Sequence, residues 1–182
     1  SSTSRGLGDV YKRQKERKTK MKKIIATIIF SIMSTVSFAD GHTSGKFNAS
    51  GMGAWEVNAM DAGQGDMAIT YDGIAGLTDE TPDSIFNKST MHCIGGLTLQ
   101  AGKFTDETGM CRFDLFDGES VYMKYVGKGS GGVGGTGTFE ITKGTGKYAK
   151  ITGTGVSSRQ NLKSKAPGFS TSMNQMSGEY KY

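Results

Sequence analysis

The side chains with chemical potential in this sequence are few: two cysteines, two histidines, scattered carboxylates and seven tyrosines. Cys93 and Cys111 are the only thiols, so they form either a disulfide or part of a metal site. A metal site needs further ligands. His92 is adjacent to Cys93 in a segment that reads as a strand, so the two side chains point to opposite faces, and His42 lies near the start of the folded part. A Ser-His-acid constellation has only His92 to build on, and no strained Ser motif surrounds it. The adjacent carboxylates Asp79-Glu80 and Asp106-Glu107 read as solvated turn neighbours, without the burial that would tune them for acid-base work. No catalytic residue, cofactor site or metal site is therefore assigned.

The aromatic residues carry more information. Trp55, Tyr71, Phe113, Tyr122, Tyr125, Phe139 and Tyr148 are spread over successive apolar segments, as expected for a barrel interior. Five of them, Trp55, Tyr71, Phe113, Tyr125 and Phe139, are the candidate lining of a site for a small hydrophobic ligand, with Tyr hydroxyls fixing its orientation. Tyr71 and Tyr125 share the apolar-face parity of their strands and come first.

The elements that hold these residues read as strands. Met67, Ile69 and Tyr71 alternate with Asp66, Ala68 and Thr70; Cys111, Phe113 and Leu115 alternate with Arg112 and Asp114. Val121, Met123 and Tyr125 repeat the pattern, as do Phe139 and Ile141. Each is a half-buried strand with one apolar face, and no window shows a helical period. Further strands are expected over 46–50, 54–60, 90–99, 149–156 and 170–182. Turn residues separate them, with Asp117-Gly118 as the clearest hairpin. The stretch 73–88, with Pro82 and few apolar residues, is the longest irregular segment expected, a loop over one barrel end. The fold class is all-β, an antiparallel barrel of about eight strands in a single domain over 40–182.

The front of the chain belongs to something else. Met21, Lys22 and Lys23 precede the apolar run 24–33 and the small-x-small sequence Ser37-Phe38-Ala39, the three parts of a cleavable export signal over 21–39. The apolar run falls short of the ~20 residues that span a bilayer, so no stable membrane anchor is expected after cleavage. Residues 1–20 precede Met21 and read either as a leader outside the natural protein or as an unstructured basic extension of it. The expected location is the periplasm or the exterior of a bacterium, where an even cysteine pair forms a disulfide.

Setting the leader aside changes the charge. Residues 1–39 hold nine of the 22 Lys/Arg but only Asp9 and Glu16 of the 17 acids, so the remainder carries a net −2 although the whole chain is +5. The basic balance thus gives no reason to expect a nucleic-acid partner. Within the remainder, thirteen acids and four bases lie in 40–119, against two acids and nine bases in 120–182. The expected consequence is pairing of acidic with basic strands across the sheet.

Gly-Thr-Gly recurs at 135–137, 144–146 and 153–155, the nine-residue period of calcium-binding β-helices. Those repeats need an Asp in each unit, and none follows Asp117. Gly144-Thr145-Gly146-Lys147 also lacks the spacing of a phosphate loop. The period is left as strand, turn, strand.

The segment from Gly135 to Gly153, with Thr138-Phe139-Glu140-Ile141-Thr142 leading into Gly144-Thr145-Gly146-Lys147-Tyr148, resembles the signature of allene oxide cyclase-like and dirigent-like β-barrels. Lys143 stands where that signature has a glycine. The resemblance covers 110–156 and implies an eight-stranded antiparallel barrel with an apolar cavity, often oligomeric. It also implies a cyclase or isomerase acting on an unsaturated fatty-acid epoxide by holding its conformation. The three resulting function classes are a non-enzymatic binder of a small hydrophobic molecule or protein partner, such an isomerase, and a structural or adhesion module.

Overall fold

The computed structural model describes residues 43–81 and 83–182; the leader at 1–20, the export segment at 21–39 and His42 lie outside them. Eight strands run in chain order as an antiparallel meander: β1 (Ser44–Gly63), β2 (Asp66–Asp79), β3 (Ser89–Leu99), β4 (Lys103–Asp114), β5 (Ser120–Ser130), β6 (Gly134–Gly144), β7 (Thr152–Leu162) and β8 (Phe169–Lys181). β8 pairs back onto β1, which closes the barrel and leaves no sheet edge. Among the described residues no helix is long and apolar enough to cross a membrane.

The stagger follows from the register. One row of paired residues runs Val57, Tyr71, Gly95, Gly109, Tyr125, Phe139, Gly155 and Gly178, and returns to β1 at Phe47, ten residues before its start. Large rings and glycine pairs alternate along it. A barrel of this width has no room for a side chain at every inward position, so rings lean over neighbours that have none. A Cβ on Gly155 would sit 2.2 Å from Phe139 Cζ. The glycine content is thus a packing requirement of an aromatic core.

Several boundaries differ from the sequence expectation. The segments 46–50 and 54–60 are one strand, because Gly51 and Gly53 lie within β1, where Gly51 pairs Leu77 and Gly53 pairs Ala75. The stretch 73–88 is not all irregular: β2 continues to Asp79, and only 80–88 is loop. The strand expected over 149–156 begins at Thr152, after a 3-10 turn Gly146–Tyr148. It also extends further, to Leu162, and Val156 is 56% exposed.

One barrel end is sealed. Asp79 accepts hydrogen bonds from the backbone of Asn48 and Thr81 and from Ser84 Oγ, which ties down the 80–88 loop. Ser89 Oγ donates to the Phe86 carbonyl. Phe86 is thereby driven into the bore, 1% exposed, with ring centroids 4.5 Å from Phe47, 5.1 Å from Phe113 and 5.8 Å from Tyr180. Val121, Ile141 and Ile151 complete this fully buried end.

Cys93 and Cys111 form a disulfide, facing one another across β3 and β4 with Cα atoms 4.1 Å apart, both inside the barrel. The bond is compatible with an oxidising compartment. It closes a loop of 18 residues, worth about 3 kcal/mol through the unfolded chain. Reduction under conditions that leave the rest of the chain intact is expected to lower the melting temperature by roughly 10 °C. Calorimetry with and without reductant checks this; an unchanged transition would remove the disulfide from the account of stability.

Candidate functional site

The hairpin end is the open one. The connections β1–β2, β3–β4, β5–β6 and β7–β8 surround a mouth cavity of about 210 Å³ walled by Val57, Ile69, Leu97, Leu99 and Phe104. A second cavity of about 70 Å³ lies deeper, against Tyr125, Glu107, Met123 and Phe139. Trp55, Tyr71 and Arg159 border both.

Tyr71 and Arg159 belong to a largely buried polar cluster with Glu107 and Tyr125. Tyr71 Oη donates to Glu107 Oε1 at 2.7 Å and lies 2.5 Å from Tyr125 Oη. Arg159 Nη1 donates to the same Glu107 oxygen at 2.7 Å. The guanidinium also packs over the rings of Tyr71 and Phe104, at 5.9 and 6.0 Å from their centroids. Nearby, the Trp55 indole N–H donates to Ser172 Oγ at 2.8 Å, and Ser172 Oγ donates to Asn174 Oδ1.

Each position has a local cause. Tyr71 and Tyr125 occupy one register row with Gly95 and Gly109 between them. A Cβ on Gly95 would lie 2.4 Å from Tyr125 Oη and 2.7 Å from Tyr71 Oη; one on Gly109 would lie 2.3 Å from Tyr125 Oη. Two bare backbones therefore let two phenols from strands three apart meet. Glu107 turns inward in phase with Gly109, Cys111 and Phe113, and a β-bulge brings Phe104 to the same face. The β4–β5 register shifts between Phe104 and Glu107, so both side chains turn inward despite their odd spacing. Gly127, opposite Glu107 on β5, leaves room for its carboxylate: a Cβ there would lie 2.6 Å from Oε2.

The β7 and β8 wall is polar inside. Inward positions carry Ser157, Arg159 and Asn161 on β7 and Ser170, Ser172 and Asn174 on β8. Opposite them stand the apolar side chains of β1 to β3. The mouth is thus two-sided, with hydrocarbon on one wall and hydrogen-bonding groups on the other.

Burial shapes the titration of the cluster. Tyr71 is raised above the usual phenol range by burial first, then by the neighbouring Tyr125 and the Glu107 carboxylate. Tyr125 is pushed up to about 12, mainly by burial, with the Tyr71 hydrogen bond opposing and the Glu107 charge adding. Burial works against the Arg159 charge, but attraction to Glu107 outweighs it and raises the group overall. A raised phenol keeps its proton in the folded state after the unfolded chain has begun to lose it. Stability is therefore retained below about pH 10 and falls as pH rises from about 10 through 12. Urea midpoints are expected to drop between pH 9 and pH 11, less so in Tyr125→Phe; equal slopes for the two proteins would exclude Tyr125 as a source.

Of the five residues expected to line a ligand site, the structure brings Trp55, Tyr71, Tyr125 and Phe139 to the two cavities. Phe113 is elsewhere, 1% exposed against Phe86 in the sealed end. The pair Asp106-Glu107 is split between the two faces of β4 by ordinary strand alternation. Asp106 stays outside, accepting from the Thr98 backbone N–H, whereas Glu107 is 5% exposed inside, contrary to the solvated turn expected. Burial of a carboxylate among two phenols and an arginine was the feature missed. His92 lies on the outer face with Asp72, 2.6 Å away. The acidic and basic segments meet at Glu107–Arg159, across the bore between the unpaired strands β4 and β7, and at Asp117–Lys147, between two turns, whereas the neighbouring-strand pair Lys124–Glu140 lies wholly within 120–182.

The architecture defines a closed antiparallel barrel with one sealed end and one open, two-sided mouth. The sequence matches no family model and no curated relative.

Proposed function

We propose that this barrel is an exported binding module that takes one small, largely apolar molecule through its hairpin-end mouth. The observation that carries the reading is the asymmetry of the bore: Phe86 plugs one end, whereas the other opens onto a cavity of about 210 Å³ with hydrocarbon on one wall and a buried Tyr71–Glu107–Arg159 cluster at its floor. Such a concave, mainly apolar site with a few convergent polar groups is the usual form of a small-ligand pocket. Export is supported by the segment 21–39 and by the disulfide, which suits an oxidising periplasm or exterior.

Trp55 is the sequence's single tryptophan and borders both cavities, so its emission reports on the mouth. Titration of the purified barrel with cyclohexane, a neutral probe small enough for the cavity, is expected to give a saturable change with one-to-one stoichiometry. No saturable change, together with an unaltered melting temperature at saturating probe, would contradict ligand binding.

A second reading is a cyclase or isomerase of the kind implied by the Gly135–Gly153 signature. Its favouring observation is Glu107 itself, a carboxylate held by Tyr71 and the Arg159 guanidinium, with Tyr125 beside them, at the floor of the mouth. Incubation with unsaturated fatty-acid epoxides should then shift the stereochemistry of the cyclic product, with loss of the bias in Glu107→Gln. Racemic product from the unaltered protein would remove this reading.

A further inference from the structure

The direction of the hydrogen bonds in the cluster restricts the chemistry of the occupant beyond its being small and apolar. Glu107, paired with the Arg159 guanidinium at 2.7 Å, is a carboxylate and can only accept. Tyr71, 2.7 Å from the same oxygen, must therefore donate its single O–H proton to Glu107. The Tyr71–Tyr125 contact at 2.5 Å then has one possible direction, from Tyr125 to Tyr71, although either oxygen could be the donor on distance alone. Tyr125 has spent its proton, and Tyr71 is its one side-chain partner among the described residues. What its oxygen presents to the deeper cavity is a lone pair that can only accept.

Arg159 has the opposite character. One of its five N–H donors goes to Glu107, and the side chain is 23% exposed where it borders both cavities. Its positive charge is already balanced by Glu107, so the floor offers donors without a net charge that would favour an anion. A carboxylate occupant would meet the Glu107 charge and could give Tyr125 no proton. An ether or ketone could accept from Arg159 but would set its lone pairs against those of Tyr125. A hydroxyl group does both: it donates to Tyr125 and accepts from Arg159.

We infer that the occupant is a small neutral alcohol whose hydrocarbon body sits in the mouth against Val57, Ile69, Leu97 and Leu99 and whose hydroxyl reaches past Trp55, Tyr71 and Arg159, the residues that border both cavities, to donate to Tyr125 in the deeper one. The inference rests on the binding reading above and deepens it. Its test compares cyclohexanol, methoxycyclohexane and cyclohexane by Trp55 emission and by calorimetry. In the unaltered protein cyclohexanol should bind about tenfold more tightly than methoxycyclohexane, the ratio expected when one ligand pairs a buried acceptor and the other opposes it. In Tyr125→Phe, which keeps the ring and removes the acceptor, the ratio should fall to near one.

Equal binding of the alcohol and the ether to the unaltered protein would overturn the inference, and this arm needs no variant to fold. If cyclohexane and the ether then still bind, the binding reading stands without it. If none of the three binds, both fall. A ratio that stays near tenfold in folded Tyr125→Phe would also overturn the assignment of Tyr125 as the acceptor.

Discussion

Glu107→Ala should lower the unfolding free energy by about 3 kcal/mol in urea titrations. Glu107 is 5% exposed and accepts from Tyr71 and Arg159 at once, so truncation leaves a phenol without its acceptor and a cation without its counter-charge. Loss of one partner from a buried ion pair costs about 3–5 kcal/mol, and the lower end applies because Arg159 keeps 23% exposure and can hydrate in part. The loss belongs to the stranded partner and not to the intrinsic strength of the pair. Glu107→Leu combined with Arg159→Leu removes both charges and is expected to recover most of the stability, since apolar replacement of a whole buried pair is often neutral or better. A single variant of unaltered stability would mean that water reaches the cluster freely; a double variant as unstable as the single would mean that the polar cluster itself holds the fold.

Phe86→Ala should cost about 3–5 kcal/mol, the usual range for deleting a fully buried aromatic side chain. Its ring is 1% exposed and contacts Phe47, Phe113 and Tyr180, which come from three different strands. The loop that carries it is anchored by Asp79, Ser84 and Ser89, so it has little freedom to collapse into the vacated space. Phe86→Leu should retain more than half of the lost stability, because a large apolar plug remains. Beyond stability, an open second end would let solvent into the bore from the sealed side. Urea denaturation of the two variants checks the ranking; an Ala variant no less stable than the Leu variant would show that the loop does not seal the barrel.

The architecture was readable because inward apolar residues mark most strands. Cys111, Phe113, Val121, Met123, Phe139 and Ile141 are all buried, and their alternation with polar neighbours placed three strands and the Asp117-Gly118 hairpin between two of them. Tyr71 and Tyr125 were found by the same parity. The disulfide was readable because only two cysteines exist.

The other half of the cluster was hidden for two physical reasons. Inward positions of β7 hold Gly153, Gly155, Ser157, Arg159 and Asn161, with no apolar residue among them, so a search for an apolar face finds only the outward Val156. A sheet face turned toward a polar interior inverts the usual rule. Glu107 was obscured differently, since the adjacent Asp106 and Glu107 looked like a turn. Carrying the alternation of Phe113 and Cys111 back through Gly109 does reach Glu107 on the inward face, and Gly109 itself was the misleading break. Glycine inside this barrel marks the space taken by a ring from the next strand, as at Gly95 and Gly109 beneath the two tyrosines.

The most direct test of the binding account is an amide NMR titration of the barrel with cyclohexanol. The account predicts saturable shift changes confined to residues at the mouth and floor, Trp55, Tyr71, Gly95, Glu107, Tyr125 and Arg159, with the sealed end around Phe86 and Phe113 unmoved. Changes confined to the outer face of the sheet, or none at all, would contradict it.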